Sequence, residues 1–230
     1  MPIKTPRKLK KNLIIAIDGP AGSGKSSTAK ALAARMGLPF VDSGAMYRAV
    51  TLEAMQHGVS FIDKRELIKL AKRCRIRLTT SPKGEQKVFL DGKDVTKAIR
   101  EPELTQNVHH VASEPAIRHE LVRKQRQMGL KHGAVMEGRD IGTVVFPKAD
   151  FKFFFKADDA IRARRRVRDL ARQGTKASAK KVLEDIKARD KTDSQRKEGP
   201  LKRAKDAIVI DTSSLTIDAT VDKILQLISR

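Results

Sequence analysis

Leu13–Ile17 (LIIAI) is a short apolar run that stops at Asp18-Gly19-Pro20, the pattern of a buried strand entering a loop. Downstream, Ala29, Leu32, Ala33 and Met36 fall at helical spacing, and Gly37 is a natural stop. Pro39-Phe40-Val41 reads as a second short strand, so the chain opens as a βαβ unit. Residues 43–58 and 64–74 follow as helices. Arg75–Thr80 and Lys87–Leu90 are short alternating runs joined by Ser81-Pro82-Lys83-Gly84, with a second turn at Asp91-Gly92-Lys93. They predict a small antiparallel piece inserted into an otherwise alternating chain. Helical pattern resumes over about 103–130. Ala134-Val135-Met136 is a further buried strand, ending at Glu137-Gly138-Arg139-Asp140. Phe151–Phe155, the most hydrophobic run, predicts a central core strand. Residues 160–172 and 178–190 form basic helices, Ala207–Ile210 a last strand, and 218–228 a closing helix. About five buried strands alternating with helices predict an α/β fold on an open parallel sheet.

The strand–loop–helix opening gives meaning to Gly19-Pro20-Ala21-Gly22-Ser23-Gly24-Lys25-Ser26, which fits G-x-x-x-x-G-K-[ST]. Glycines let successive N–H groups turn inward on phosphate oxygens, and the following helix adds its positive end. Lys25 then reaches the β- and γ-phosphates, and the Ser26 hydroxyl ligates Mg²⁺. Roughly one random chain of this length in a hundred matches by chance, but a chance match would not also sit between a strand and an amphipathic helix.

Charge narrows the partners. The 230 residues carry a formal net charge of +22. Residues 1–12 contribute five bases and no acid, and 162–205 contribute 17 Lys or Arg against 6 Asp or Glu. Such a chain attracts polyanions, yet one Tyr, eight Phe and no Trp leave few platforms for stacking single-stranded bases. Cys74, alone, forms no internal disulfide. No apolar run approaches membrane-spanning length, and no apolar segment of a signal peptide follows the basic start. A cytoplasmic protein without a membrane partner is expected.

Taken singly, the polar residues allow bland readings. Arg48 reads as a solvated helix residue, and Asp193 and Arg196, three apart, as an intrahelical ion pair. The arginines of 162–168 could form a solvated or nucleic-acid-facing helix. Arg139 and Asp140 differ, because they follow a buried strand, where open α/β sheets gather ligand groups. On this footing a P-loop kinase with a nucleotide or non-nucleotide acceptor and a nucleic-acid-binding P-loop protein both stay open.

Four stretches reduce that choice: I-D-G-P-A-G-S-G-K-S-S from Ile17, D-S-G-A-M-Y-R from Asp42, E-G-R-D-I-G-T-V-V-F-P from Glu137, and R-D-K-T-D-S-Q-R-K-E-G-P-L from Arg189. With these the sequence resembles the bacterial cytidylate kinases from about Leu13 to the end. The resemblance implies a P-loop kinase fold over 13–230 behind a basic tail of 1–12. Within it, about 43–110 would be the monophosphate-binding insert with the small antiparallel sheet, and about 157–175 a helical lid. It implies transfer of phosphate from ATP, with Mg²⁺, to CMP or dCMP, by a monomer with no specific nucleic-acid partner. Gly19, Pro20, Ala21, Gly22, Ser23, Gly24, Lys25, Ser26 and Ser27 would bind ATP. Arg48 and Arg139 would grip the acceptor phosphate, while Ser43, Arg189 and Asp193 hold the ribose. Arg118, Asp140 and Arg196 would contact the base, and Arg162, Arg165 and Arg166 would close over ATP. Lys25, Arg139 and the three lid arginines form the catalytic set. Where the family has a serine that helps to read the base, this chain has His109. Two phosphate-bearing substrates repel each other, so many arginines are what such a transfer needs. The acceptor is already an oxyanion, so no general base is required.

Overall fold

In the computed structural model the described residues are 12–81, 85–172 and 174–229. The basic tail therefore lies outside them, apart from Asn12, as does the turn at 82–84. Strand β1 (Ile14–Asp18) is buried along its whole length. It pairs in parallel with β6 (Ala134–Gly138) on one side and β7 (Phe151–Lys156) on the other. Strand β2 (Phe40–Asp42) extends the sheet beside β6, and β8 (Ile208–Asp211) beside β7, giving the order β2-β6-β1-β7-β8. The centre thus belongs to β1, and the phenylalanine run is its neighbour. Strand β8 is an edge with only Ile210 fully buried, less enclosed than its apolar sequence predicts.

The alternation within β1 explains the layers. Ile15 and Ile17 share a core with Leu32, Phe153, Phe155, Val221 and Ile224. That core seats α1 (Lys25–Met36) and α8 (Ile217–Ile228) on one face. Ile14 and Ala16 point the other way, to Val122, Met136, Ile141 and Phe146. A parallel strand covered on both faces must be apolar at every position, which is what LIIAI supplies.

Between β2 and β6 lies a second assembly with its own core. It contains α2 (Ser43–Gln56), α3 (Lys64–Arg73) and an antiparallel sheet of β3 (Ile76–Thr80), β4 (Gln86–Leu90) and β5 (Lys93–Asp94). The stretch predicted as helical over 103–130 is two helices, α4 (Pro102–Ala112) and α5 (Pro115–His132). Pro115 takes the first position of α5 and forces Glu114 out of helical geometry, to φ −84° and ψ 115°. Leu67, Leu70, Ile99, Leu104, Ile117 and Leu121 are packed in this core, so it continues into α5. A π-helical turn at Ile141–Val145, which periodicity does not reveal, follows β6. Helices α6 (Asp159–Arg172) and α7 (Ala179–Ser194) form a hairpin with a small core; among the described residues Ala163, Val182 and Ile186 are buried in it, with Val167, Leu170, Ala177 and Leu183 partly buried against them.

Candidate active site

The carboxyl ends of β1 and β6 gather most of the predicted polar residues. After β1 the chain turns at Gly19, whose φ is +150°. A Cβ there would lie 2.5 Å from the Phe155 carbonyl oxygen, so the turn against β7 requires glycine. Gly24, at φ +84°, caps the start of α1. Lys25 is buried beneath the loop, and its Nζ donates to Pro20 O at 2.7 Å and Ser23 Oγ at 3.5 Å. Burial, and then Arg139, pull this ammonium down to about 7. Glu137 and Asp18 only partly offset this, so an incoming anion would stabilise the charged form. Ser26 Oγ donates to Glu137 Oε1 at 2.5 Å, and Ser43 Oγ donates to Glu137 O at 2.8 Å. The end of β6 therefore ties α1 and α2 together. Ser27 is exposed on the first turn of α1. Asp18 accepts from Ile141 N at 2.8 Å and Gly142 N at 2.7 Å, fixing the π turn, although burial pushes its carboxyl up to about 6.

A cluster of arginines forms the second wall. Arg139 Nε donates to Asp193 Oδ2 at 2.7 Å, and Arg189 Nε lies 3.9 Å from the same oxygen. Arg196 donates to the other oxygen of Asp193. Asp193 is buried, which opposes ionisation, but these three cations hold its carboxyl below the usual range. Arg196 pairs with Asp193 as foreseen, but it lies beyond the end of α7 at Ser194, so the pair is not intrahelical, and the same carboxylate also binds Arg139, just after β6. Arg48 is not a solvated surface residue. Its Nη1 donates to Thr105 Oγ1 at 2.7 Å and Ile99 O at 3.3 Å, and burial lowers its guanidinium to about 10. Burial, with Arg139 and Arg48 beside it, lowers Arg189 to about 9. Arg166 contributes to the positive field at both Arg48 and Arg189. One carboxylate facing several guanidinium groups leaves surplus positive charge, the signature of an anion site.

Deeper in the same wall, Arg118 and Asp140 form a buried ion pair, with side-chain exposures of 3% and 7%. Arg118 Nη1 also donates to Ala112 O at 3.2 Å, and its guanidinium lies 5.5 Å from the Tyr47 ring centre. His109 is exposed instead: its Nδ1 is 2.7 Å from Gln106 O, and its ring leans on His110.

The helical hairpin reaches the loop from the other side. Arg162 Nη1 donates to Ala21 O at 2.9 Å, and Arg165 Nη2 to Thr212 O at 2.6 Å. Thr212 Oγ1 in turn donates to Ser23 O at 2.9 Å. Arg162 and Arg165 thus meet the loop directly or through Thr212, while Arg166 faces the arginine wall. Sequence reasoning gave no role to Asp18, Glu137, Asp190, Thr212 or Tyr47. Asp18 and Glu137 carried a signal, a carboxylate closing an apolar run. Thr212 carried none, lying 189 residues from its loop partner, and Asp190, although it stands in the stretch from Arg189, gave no sign of a loop contact 169 residues away.

The Ser26 hydroxyl beside the Glu137 carboxylate is an all-oxygen donor set, which suits a hard divalent cation. Among the described residues no group of three or more His, Cys, Asp or Glu side chains could hold a metal ion. Such an ion would therefore depend on phosphate oxygens and water.

A phosphate loop on a five-stranded parallel sheet, faced by an arginine wall and a cationic hairpin, defines a P-loop kinase. The comparisons give the family. A family model described as cytidylate kinase matches residues 15–230. Cytidylate kinase of Bacillus licheniformis is 46% identical over 222 residues, covering 96% of this chain and 98% of that protein. Cytidylate kinase of Bacillus subtilis is 45% identical, covering 96% and 99%. The chain belongs to the cytidylate kinase family. A solved structure from Eubacterium ventriosum aligns with a TM-score of 0.52 at 17% identity, covering 95% of this chain and 99% of that one, a likeness of fold alone. Among the described residues, no helix is long and apolar enough to cross a membrane.

Proposed function

We propose that the protein transfers the γ-phosphoryl group of ATP directly to CMP and dCMP, giving CDP and dCDP. The observation that carries this reading is the convergence at the end of β6, where Glu137 meets the phosphate loop, Arg139 meets the arginine wall and Asp140 meets Arg118. Donor and acceptor sites thus share one strand terminus. In this reading residues 19–27 cradle the triphosphate, Lys25 neutralises charge developing on the transferred group, and Arg48 and Arg139 hold the acceptor phosphate. Ser43, Arg189 and Asp193 hold the ribose, and Arg118, Asp140 and Arg196 read the base. Ser26, backed by Glu137, would hold Mg²⁺ with the phosphates, and the ion would supply further charge neutralisation. We take the enzyme as a cytoplasmic monomer with no specific nucleic-acid partner. A coupled ADP-release assay over CMP, dCMP, UMP and AMP tests the reading. CMP and dCMP should be the best acceptors; equal rates with all four would refute it.

The segment of about 157–175, which carries α6, would act as a lid that shields the reacting phosphates from water. Its small core and crowded arginines motivate this, since few apolar contacts hold it and phosphates relieve its repulsion. Amide hydrogen exchange over 157–172 should slow when ATP and CMP are both bound. Unchanged exchange would count against a lid.

A further inference from the structure

Asp190, on α7, makes a contact that phosphate binding alone does not call for. Its Oδ1 accepts from the Ala21 N–H of the phosphate loop at 3.2 Å, and its Oδ2 accepts from Arg162 Nη1 at 2.5 Å. The same Arg162 nitrogen donates to Ala21 O at 2.9 Å. A carboxylate and a guanidinium therefore grip both ends of the residue at the mouth of the loop. Arg162 Nη2 is held separately by Asp159 Oδ1 at 2.5 Å. Both side chains of the central pair are largely shielded, with exposures of 6% for Arg162 and 19% for Asp190. An anion thus sits beside a loop whose N–H groups turn inward to take anions. Incoming triphosphate brings more negative charge to the same mouth, and at low effective dielectric the two repel. The guanidinium between them is attracted to both.

We propose that Asp190 is a positioning residue that occupies the phosphate loop before ATP arrives, holds Arg162 against Ala21, and releases both to the triphosphate. This rests on the kinase reading above. The neighbouring residue, Arg189, belongs to the acceptor cluster around Asp193. Helix α7 therefore touches the donor loop through one residue and the acceptor wall through the residue beside it, so ATP binding and acceptor alignment are linked through one rigid element.

The test compares the full-length wild type with Asp190→Asn, Asp190→Glu and Asp159→Asn. Affinity for a non-hydrolysable ATP analogue is measured by calorimetry without acceptor, and kcat is measured with CMP. Asp190→Asn should bind the analogue about two- to tenfold more tightly, the worth of one displaced hydrogen bond. Its kcat should fall about tenfold because Arg162 is no longer aimed. Asp190→Glu should restore most of both values. Asp159→Asn loosens Arg162 without touching the loop, so it should slow turnover and leave analogue affinity unchanged. A purely structural role would lower the thermal midpoint and weaken both steps together. Unchanged or weaker analogue binding in Asp190→Asn, or an unchanged kcat, overturns the proposal. Should that variant not fold, Asp190→Ser carries the same expectations. Wild type that binds the analogue but does not phosphorylate CMP would defeat the kinase reading, while the affinity comparison would still decide the loop contact.

Discussion

Replacing Lys25 with alanine should lower kcat with CMP by on the order of 10²–10³-fold, the usual loss when one fixed donor to a transition-state charge is removed. The side chain is buried, and its hydrogen-bond partners among the described residues are the Pro20 carbonyl and the Ser23 hydroxyl. Burial, and then Arg139, lower its pKa, and Glu137 and Asp18 offset this only in part. The deficit is made good when phosphate arrives, and most fully when charge shifts onto the transferred group. Loss of Lys25 should therefore strike turnover harder than ATP affinity. The fold should survive, because an unfavourably desolvated ammonium contributes little to stability. Steady-state kinetics with a thermal melt checks both parts. Near-normal turnover in a folded variant would remove Lys25 from the chemistry.

The second large effect is expected at Arg118 and Asp140. Cytosine offers an amino group at N4 and acceptors at N3 and O2, which match a carboxylate and a guanidinium. Uracil presents a carbonyl where cytosine has its amino group and a protonated N3 where cytosine has an acceptor. Two mismatched buried contacts should give discrimination against UMP on the order of a hundredfold in kcat/KM. The pair also has a structural cost attached. Asp140→Ala leaves Arg118 buried without its counter-charge, so it should destabilise the protein by about 3–5 kcal/mol. The double variant Arg118→Met with Asp140→Ala removes both charges and should recover most of that stability while losing the preference for CMP. Urea unfolding reads the first quantity, and the CMP-to-UMP ratio of kcat/KM reads the second. A double variant that keeps the wild-type ratio would show that the pair does not read the base.

Much of this site was legible before any coordinates, for a physical reason. The βαβ opening, the phosphate loop and the residues closing β6 are local patterns, written within a few positions of one another. Arg48 was the opposite case. Its helix gives no sign that Ile99 and Thr105 lie within reach, so a solvated reading was the natural one. The break at Pro115 was readable in principle, since proline restricts the residue before it, but apolar spacing runs through it. The π turn after β6 depends on the Asp18 carboxylate, 123 and 124 residues away, and has no periodicity to betray it. Asp190 and Thr212 matter only because the sheet order brings the hairpin and the end of β8 back to the loop. Contacts across such separations come from topology, and one sequence expresses topology only indirectly.

The small core of the α6–α7 hairpin has a bearing on how enzymes of this design can diversify. The hairpin packs on itself and reaches the sheet through arginines and carboxylates. Substitutions inside Ala163, Val182 or Ile186 are then nearly independent of the large cores, as expected for sites that share no partners. Side chains of this small core can drift without eroding the sheet that holds Lys25, so long as Asp193 on α7 keeps its bond to Arg139. The hairpin is in that sense an exchangeable module, and it is where a transplanted segment should alter the temperature response of turnover while leaving the melting of the sheet alone.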